Sequence, residues 1–188
     1  MSTTPQRLTP EQAATFHEQI SVELISAKHA KAVEAFECHP EVDKYLKGFA
    51  LQARIDGRDR PWLFLHEGNL AGFVTLSAST VKLDPKERER LKIMDRAEWP
   101  ALLIGYLGVD KRYQGGGRGV GDKLLEYAVG QAQVVADRVA IKFVVADVNQ
   151  EEHAIAMYER NGFVRGAFKL NTGPTPRYWR ALPSEPGD

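Results

Sequence analysis

The sequence predicts a mixed α+β domain on one central sheet of about six or seven strands, mostly antiparallel, flanked by about four helices. Three observations carry this. Apolar alternation over Ile20–Ile25 marks a strand, and Trp62–His66 and Leu70–Ser77 either side of Gly68-Asn69 mark a hairpin. The apolar run Ala101–Val109 is followed by a glycine-rich stretch, a helical apolar pattern and a second apolar run, Val139–Ala146. Strand, helix and strand in that order imply a right-handed crossover, hence one parallel pair within the sheet.

The elements follow in chain order. Thr9-Pro10-Glu11-Gln12 has the form of a helix start, Thr9 as N-cap and Pro10 at the first helical position, with little helix beyond His17. In the strand Ile20–Ile25, the residues Ile20, Val22 and Leu24 share one face. Ser26 caps a helix through Phe36, and Pro40 ends that unit. Val42–Ala53 reads as one helix, with Val42, Tyr45, Leu46, Phe49 and Ala50 at helical spacing. A hairpin follows: Trp62–His66, a turn at Gly68-Asn69, then Leu70–Ser77. DPKERERLKIMDRAEWP, dense in both charge signs, reads as a solvated connector with an amphipathic turn from Pro85 that carries Leu91, Ile93 and Met94 inward. Ala101–Val109 has the continuous apolarity of a centrally buried strand. Val120, Leu124, Leu125, Ala128, Val129, Ala132 and Val135 give a helix of about five turns. After the strand Val139–Ala146, Asn149–Glu152 has capping-box spacing, and Asn161-Gly162 signals the next helix end. Phe163–Leu170 and Tyr178–Leu182 are the last strands, joined by the loop NTGPTP. Phe168, Tyr178 and Trp179 serve either the core or a homodimer contact.

A chain of 188 residues suits one domain. We place an N-terminal extension at 1–19, loose up to Pro10, the domain at 20–182, and a disordered polar tail at 183–188. The 25 Lys and Arg balance the 25 Asp and Glu, which argues against a dedicated nucleic-acid binder. Cys38 stands alone, so neither a disulfide nor a cysteine metal site is expected. With no membrane-length apolar run and no signal-peptide core in MSTTPQRLTPEQ, we expect a cytoplasmic protein without a membrane partner.

The chemistry centres on LLIGYLGVDKRYQGGGRGVGDKLL, Leu102–Leu125. Glycines between a strand and a helix let backbone amides close on an anion, helped by the positive end of the helix. A phosphate is the expected guest. A nucleoside-triphosphate loop needs Lys-Ser/Thr after its glycines, whereas Gly121 is followed by Asp122-Lys123-Leu124. A dinucleotide fold would place its glycines after the first strand, and here at least three strands precede them.

The order of elements, LGVDKRYQGGGRGVGDKLL and the downstream AIAMYERNGF together resemble the GCN5-related N-acetyltransferase (GNAT) superfamily over roughly Ile20–Leu182. The first stretch is similar to that family's acyl-CoA pyrophosphate loop, although two additional glycines lengthen it. Gln114, Gly117 and Gly119 satisfy the motif literally, whereas counting back from Leu124 selects Gly119 and Gly121. The resemblance implies a GNAT-like fold whose parallel pair splays around acyl-CoA, with acetyl-CoA as co-substrate and no metal. It assigns backbone contacts with the pantetheine arm to Leu107, Gly108 and Val109. The pyrophosphate falls to Gln114, Gly115, Gly116, Gly117, Arg118, Gly119, Val120 and Gly121. Tyr158 matches the tyrosine that protonates the leaving thiolate, a role suited to a phenol. Asn149 lies about two residues before the family's cofactor-contacting Asn, and helix capping is its competing role. Glu67, Asp110 and His66 lie near strand ends as candidate bases, each also readable as a solvated surface group.

The implied reaction is acetyl transfer by direct attack of a primary amine. FECHPEVDKYL, Phe36–Leu46, further resembles a toxin-type branch that acetylates aminoacyl-tRNA, departing from it at His39, Val42 and Tyr45. Holding tRNA takes several cationic phosphate contacts, so the neutral charge favours a small-molecule, peptide or protein amine over tRNA. The alternative of another class is a module that binds acyl-CoA without transferring its acyl group.

Overall fold

The computed structural model describes residues 7–93, 98–149, 151–169 and 176–183. Its seven strands form one mixed sheet in the order β1-β2-β3-β4-β5-β7-β6, and seven α-helices accompany them. The chain divides into two compact units, Met1–Leu76 with Tyr106–Leu124, and Ser77–Gly105 with Leu125–Asp188.

In the first unit, helix α1 (Pro10–Glu18) begins as its sequence requires. Thr9 Oγ1 accepts from the Gln12 N–H at 3.3 Å, and Gln12 Oε1 accepts from the Thr9 N–H at 2.9 Å. Strand β1 (Ile20–Leu24) lies antiparallel to β2 (Arg60–His66), from Ile20↔His66 to Leu24↔Trp62. The inward face expected of β1 is not formed. It is the edge strand, Val22 is exposed, and the buried residue is Ile25, one past its end. The hairpin into β3 (Asn69–Lys82) also closes one residue earlier than expected. His66 pairs with Asn69, so the turn is Glu67-Gly68, both with positive φ. Ala71 is an extra residue opposite the Phe64/Leu65 step, a bulge that frees its carbonyl for another partner.

The helix expected from Ser26 to Phe36 is a 3₁₀ turn, Ala27–His29, followed by α2 (Ala30–Glu34). His29 Nδ1 takes the Ser26 N–H at 2.9 Å, which tightens that turn. The single helix expected over Val42–Ala53 is two, α3 (Pro40–Gly48) and α4 (Ala50–Ile55). Phe49 leaves helical φ, at −132°, after the poor helix former Gly48. Phe36, Leu46, Leu63, Leu70 and Phe73 are the centre of this unit's core.

In the second unit, the charge-dense connector is an anchored helix. α5 (Pro85–Leu91) starts at Asp84, which exchanges hydrogen bonds with Glu87. Glu87 is buried, and its Oε1 accepts from the Ala167 N–H and the Trp179 indole N–H, each at 3.1 Å. The solvated reading holds for Lys86, Glu89 and Arg90, which are exposed, and fails at Glu87, whose burial is matched by donors. Leu91 and Ile93 pack on Val81, Leu83, Phe143 and Trp179, whereas Met94 lies outside the described residues.

Strand β4 (Glu98–Val109) pairs in parallel with β5 (Phe143–Asp147), from Ala101↔Phe143 to Ile104↔Ala146. Among the described residues that register stops there while β4 continues to Val109. Gly105 and Tyr106 are accordingly exposed, although β4 is central in the strand order and full burial was expected. Helix α6 (Val120–Ala136) buries the apolar stripe read from its sequence. β5 starts later than expected because Val139 closes the helix end, its N–H donating to Val135 O at 2.8 Å. Helix α7 (Glu152–Arg160) is preceded by Glu151 as N-cap, so Asn149 does not cap it. The Asn161-Gly162 stop is as expected. Gly162, at φ 80°, donates to Glu159 O, and Phe163 to Tyr158 O. β6 (Val164–Lys169) and β7 (Pro176–Ala181) complete the sheet, with Tyr178 and Trp179 as core residues. The Phe168 side chain, most of the NTGPTP loop, the tail beyond Pro183 and residues 1–6 lie outside the described residues.

Candidate active site

Leu107–Val109 and the glycine loop are held in place by one buried carboxylate. Asp110 has no exposed surface, and its backbone N–H donates to the bulged Ala71 carbonyl at 3.0 Å. Asp110 Oδ2 accepts from the Glu37 N–H at 3.0 Å and from Arg112 Nη2 at 2.9 Å. Its Oδ1 accepts from the Arg112 N–H at 2.9 Å and Nε at 2.7 Å. Burial pushes this carboxyl's pKa up, but the Arg112 guanidinium and the two backbone N–H groups more than reverse that and hold it below the usual carboxylate range. Asp110 is therefore neither a solvated residue nor a base. It ties the end of β4 to the α2–α3 connection, where the Lys111 N–H also reaches Glu37 O at 2.8 Å.

Gly108 is where the strand leaves no room. A Cβ there would stand 2.8 Å from Val42 Cγ1 and 2.9 Å from Phe73 Cε1. Gln114 does not reach outward; its Nε2 donates back to the Val109 carbonyl at 2.8 Å, which commits one group assigned to the pantetheine. Gly115, Gly116, Gly117 and Gly119 all take left-handed φ, between 61° and 74°. The change of sign at Arg118 between Gly117 and Gly119 is the kind of backbone alternation that turns amides toward an anion. The Lys123 N–H then donates to Gly119 O at 3.0 Å, the first turn of α6, which contains Val120 and Gly121.

The N-terminal segment meets this loop, a relation that no residue pattern signals beyond the Thr9 cap. The Leu8 N–H donates to Gly116 O at 2.7 Å. An open groove of about 730 Å³ runs beside it, lined among others by Phe16, His66, Glu67, Arg112, Tyr113 and Arg118. Among the described residues, Arg118 Nη1 is buried without a hydrogen-bond partner, as a donor awaiting an acceptor would be. His66 is held by Gln19 Oε1 at 3.2 Å and packs on Phe16, centroids 4.7 Å apart. Glu67 occupies the hairpin turn. Near Gly108, Tyr45 and Tyr106 stack at 3.8 Å and 11°, with the Tyr45 hydroxyl donating to Asp59 at 2.6 Å. Burial raises the pKa of the Cys38 thiol, and opposing hydrogen bonds to the His39 and Val109 backbones do not offset it.

Tyr158 and Asn149 belong to the other unit. Tyr158 is buried on α7, edge-on to Phe163 at 5.3 Å. Burial first, then the charge of Asp147, raises its pKa far above that of a free phenol, so it stays protonated throughout the physiological range. Asp147 is fixed by Arg177 through two 3.0 Å bonds, and Arg177 Nη1 also donates to Thr80 O at 2.8 Å. Asn149 is exposed. The geometry thus offers an anion-binding loop beside an open strand end in one unit and a protonated phenol in the other.

Comparison with known proteins gives this arrangement a context. A model of the family described as acetyltransferase (GNAT) domain matches residues 58–165. The chain is 31% identical over 114 residues to a "tRNA-acetylating toxin" of Mycobacterium tuberculosis (strain ATCC 25618 / H37Rv); the match covers 60% of this chain and 66% of that protein, just under two thirds. A mutant of KacT has a TM-score of 0.73 at 21% identity, covering 87% of this chain and 95% of that one. AtaT complexed with acetyl-methionyl-tRNAfMet has a TM-score of 0.73 at 17% identity, with 86% and 94% covered. AtaTR bound with AcCoA has a TM-score of 0.68 at 17% identity, with 87% and 94% covered. At these identities the structures show a shared fold.

Proposed function

The chain belongs to the GNAT family of acetyltransferases, and from that premise we propose that it moves an acetyl group from acetyl-CoA to the α-amino group of an aminoacyl-tRNA. The observation that carries the acceptor is the 31% identity to a tRNA-acetylating toxin, with the Phe36–Leu46 segment in support. This reverses the ranking drawn from net charge, which put small-molecule, peptide and protein amines first.

The residues suit each step. The left-handed glycines and the unpartnered Arg118 Nη1 fit the pyrophosphate of CoA. The backbone of β4 past the described β5 register suits the pantetheine amides, with Val109 O already taken by Gln114 and the Tyr106 N–H by Thr75 Oγ1. The amine nitrogen forms its bond to the thioester carbonyl carbon, the C–S bond breaks, and the thiolate takes the Tyr158 phenol proton. Tyr158 keeps that proton until then because burial and Asp147 both oppose its loss. The amine must arrive neutral. An α-amino group titrates at about 7.7–8.0, so much of it is neutral near pH 7.5 and solvent can take the proton. That suits a site in which Asp110 is committed to Arg112.

The test is transfer of labelled acetyl to aminoacyl-tRNAs, polyamines and lysine peptides in parallel, followed by mass spectrometry. Acetylation of the aminoacyl α-amine above the other acceptors is the expected outcome. Transfer to polyamines or peptides alone restores the other acceptor class, and CoA binding with no transfer to any acceptor leaves a binding module.

A further inference from the structure

Resting on the reading of the glycine loop as a pyrophosphate site, we propose that Arg7–Thr9 is a strap that aims the loop at its anion, with Leu8 as the positioning residue. One peptide plane links the strap to the loop. The Leu8 N–H holds the Gly116 oxygen at 2.7 Å. In a trans peptide the C=O and the following N–H point in opposite directions. With the Gly116 oxygen turned to the strap, the Gly117 N–H is turned away from it, toward the open side of the loop. The strap also closes the near side. A Cβ on Gly117 would stand 3.2 Å from both Arg7 Cγ and Leu8 O, so no ligand group enters there.

The strap has its own anchor. Thr9 and Gln12 cap α1 reciprocally, and Phe16 packs against His66 and Tyr113, centroids 4.7 and 6.0 Å away. Glu11–His17 therefore cannot slide without unpacking Phe16. This matters for a loop two residues longer than its family's usual form, with four left-handed glycines. Glycines are the residues with most backbone freedom to lose, and a loop left free would be ordered at the expense of affinity. Fixing its middle peptide from outside removes part of that cost. The strap lies wholly outside the 58–165 match.

The experiment compares Leu8→Pro, which deletes the N–H, with Leu8→Ala, which keeps it. CoA affinity is measured by calorimetry, and steady-state rates are measured with acetyl-CoA and with S-acetyl-pantetheine, which lacks the pyrophosphate. Leu8→Pro should raise the CoA Kd and the acetyl-CoA KM about three- to tenfold, the worth of one hydrogen bond, with kcat unchanged. Kinetics with S-acetyl-pantetheine should not move, and Leu8→Ala should match wild type. An ester in place of the Arg7–Leu8 amide, made by ligating synthetic 1–37 to expressed 38–188 at Cys38, removes the same N–H without a proline ring and should reproduce the effect. Equal CoA affinity in Leu8→Pro and wild type overturns the strap, as does equal weakening by Leu8→Ala or equal slowing of the short thioester. Wild type that binds no CoA overturns the pyrophosphate reading itself, a separate result.

Discussion

Replacing Asp110 by Asn removes one negative charge and leaves the shape. The consequence can be worked atom by atom. Asn Oδ1 can keep the Arg112 N–H, but the amide nitrogen replaces Oδ2, which accepted from the Glu37 N–H and Arg112 Nη2. Two donors then face a donor in a site with no exposed surface. A hydrogen bond to a charged group contributes about 1.5–3 kcal/mol when lost. Arg112 is half exposed and can turn to water, so its share is discounted, leaving the buried Glu37 amide as the larger part. The expected loss is roughly 2–3 kcal/mol at pH 7, read from urea unfolding. The pH dependence is the sharper assay. The folded-state pKa of Asp110 is lowered, so its stabilisation is complete above the unfolded value of about 3.9 and is lost as pH falls through the folded value. The stability gap between wild type and Asp110→Asn should be full at pH 7 and shrink steadily below about pH 4. A gap of the same size at pH 3 and pH 7, or none at pH 7, would refute the assignment of Asp110 as an ionised buried anchor.

Tyr158→Phe should lower kcat about 10²- to 10⁴-fold, the usual range for a general acid, with CoA affinity intact by calorimetry; a variant as fast as wild type removes Tyr158 from the mechanism. Gly72→Ala should cost about 1–3 kcal/mol by thermal melting, because its Cβ would meet the Gly108 carbonyl at 2.9 Å and Leu124 Cδ1 at 3.0 Å, and a backbone atom yields little. Trp179→Phe takes the indole N–H from Glu87 and also gives up part of the indole's buried packing, for an expected loss of about 2–4 kcal/mol by urea unfolding; an unchanged midpoint would mean Glu87 is not held there as described.

The features legible in the sequence are those a residue's own backbone imposes. The Thr9 cap and the Gly162 stop each follow from local conformational preference, and the structure has both where expected. The misreadings share the opposite character. Glu87 looks like one more charge in a charged run until Ala167 and Trp179 arrive from β6 and β7, some 80 and 92 residues away. Asp110 looked like a solvated strand end because its partners at Glu37 and Ala71 are contributed by other elements. Val139 reads as strand by composition, yet the α6 terminus claims its amide. The turn at Glu67-Gly68 was missed by one residue for a related reason. Register is set by the whole β2–β3 pairing, including the Ala71 bulge, and not by the best turn dipeptide. Leu8 had no signal at all, since its part is an N–H that every residue but proline carries.

Net charge weighs less against the proposed acceptor than the total suggests, because a phosphate does not sense the total. The sum over 188 residues is zero, but at physiological salt a charge is felt over about 8 Å. A phosphate at the protein surface therefore responds to its immediate neighbours and not to the total. Between Asp110 and Lys123 the chain carries four cations, Lys111, Arg112, Arg118 and Lys123, against two acids, Asp110 and Asp122. Asp110 and Arg112 pair with each other and cancel locally, which leaves Lys111, Arg118 and Lys123 against Asp122. An acceptor recognised mainly at its aminoacylated end needs few phosphate contacts, and each single-strand contact adds only about 0.7 to the salt slope. A neutral chain with a local cationic stretch meets that requirement. What net charge does govern is long-range steering, so association with RNA should be slower here than for a basic relative, even where the bound state is equally tight.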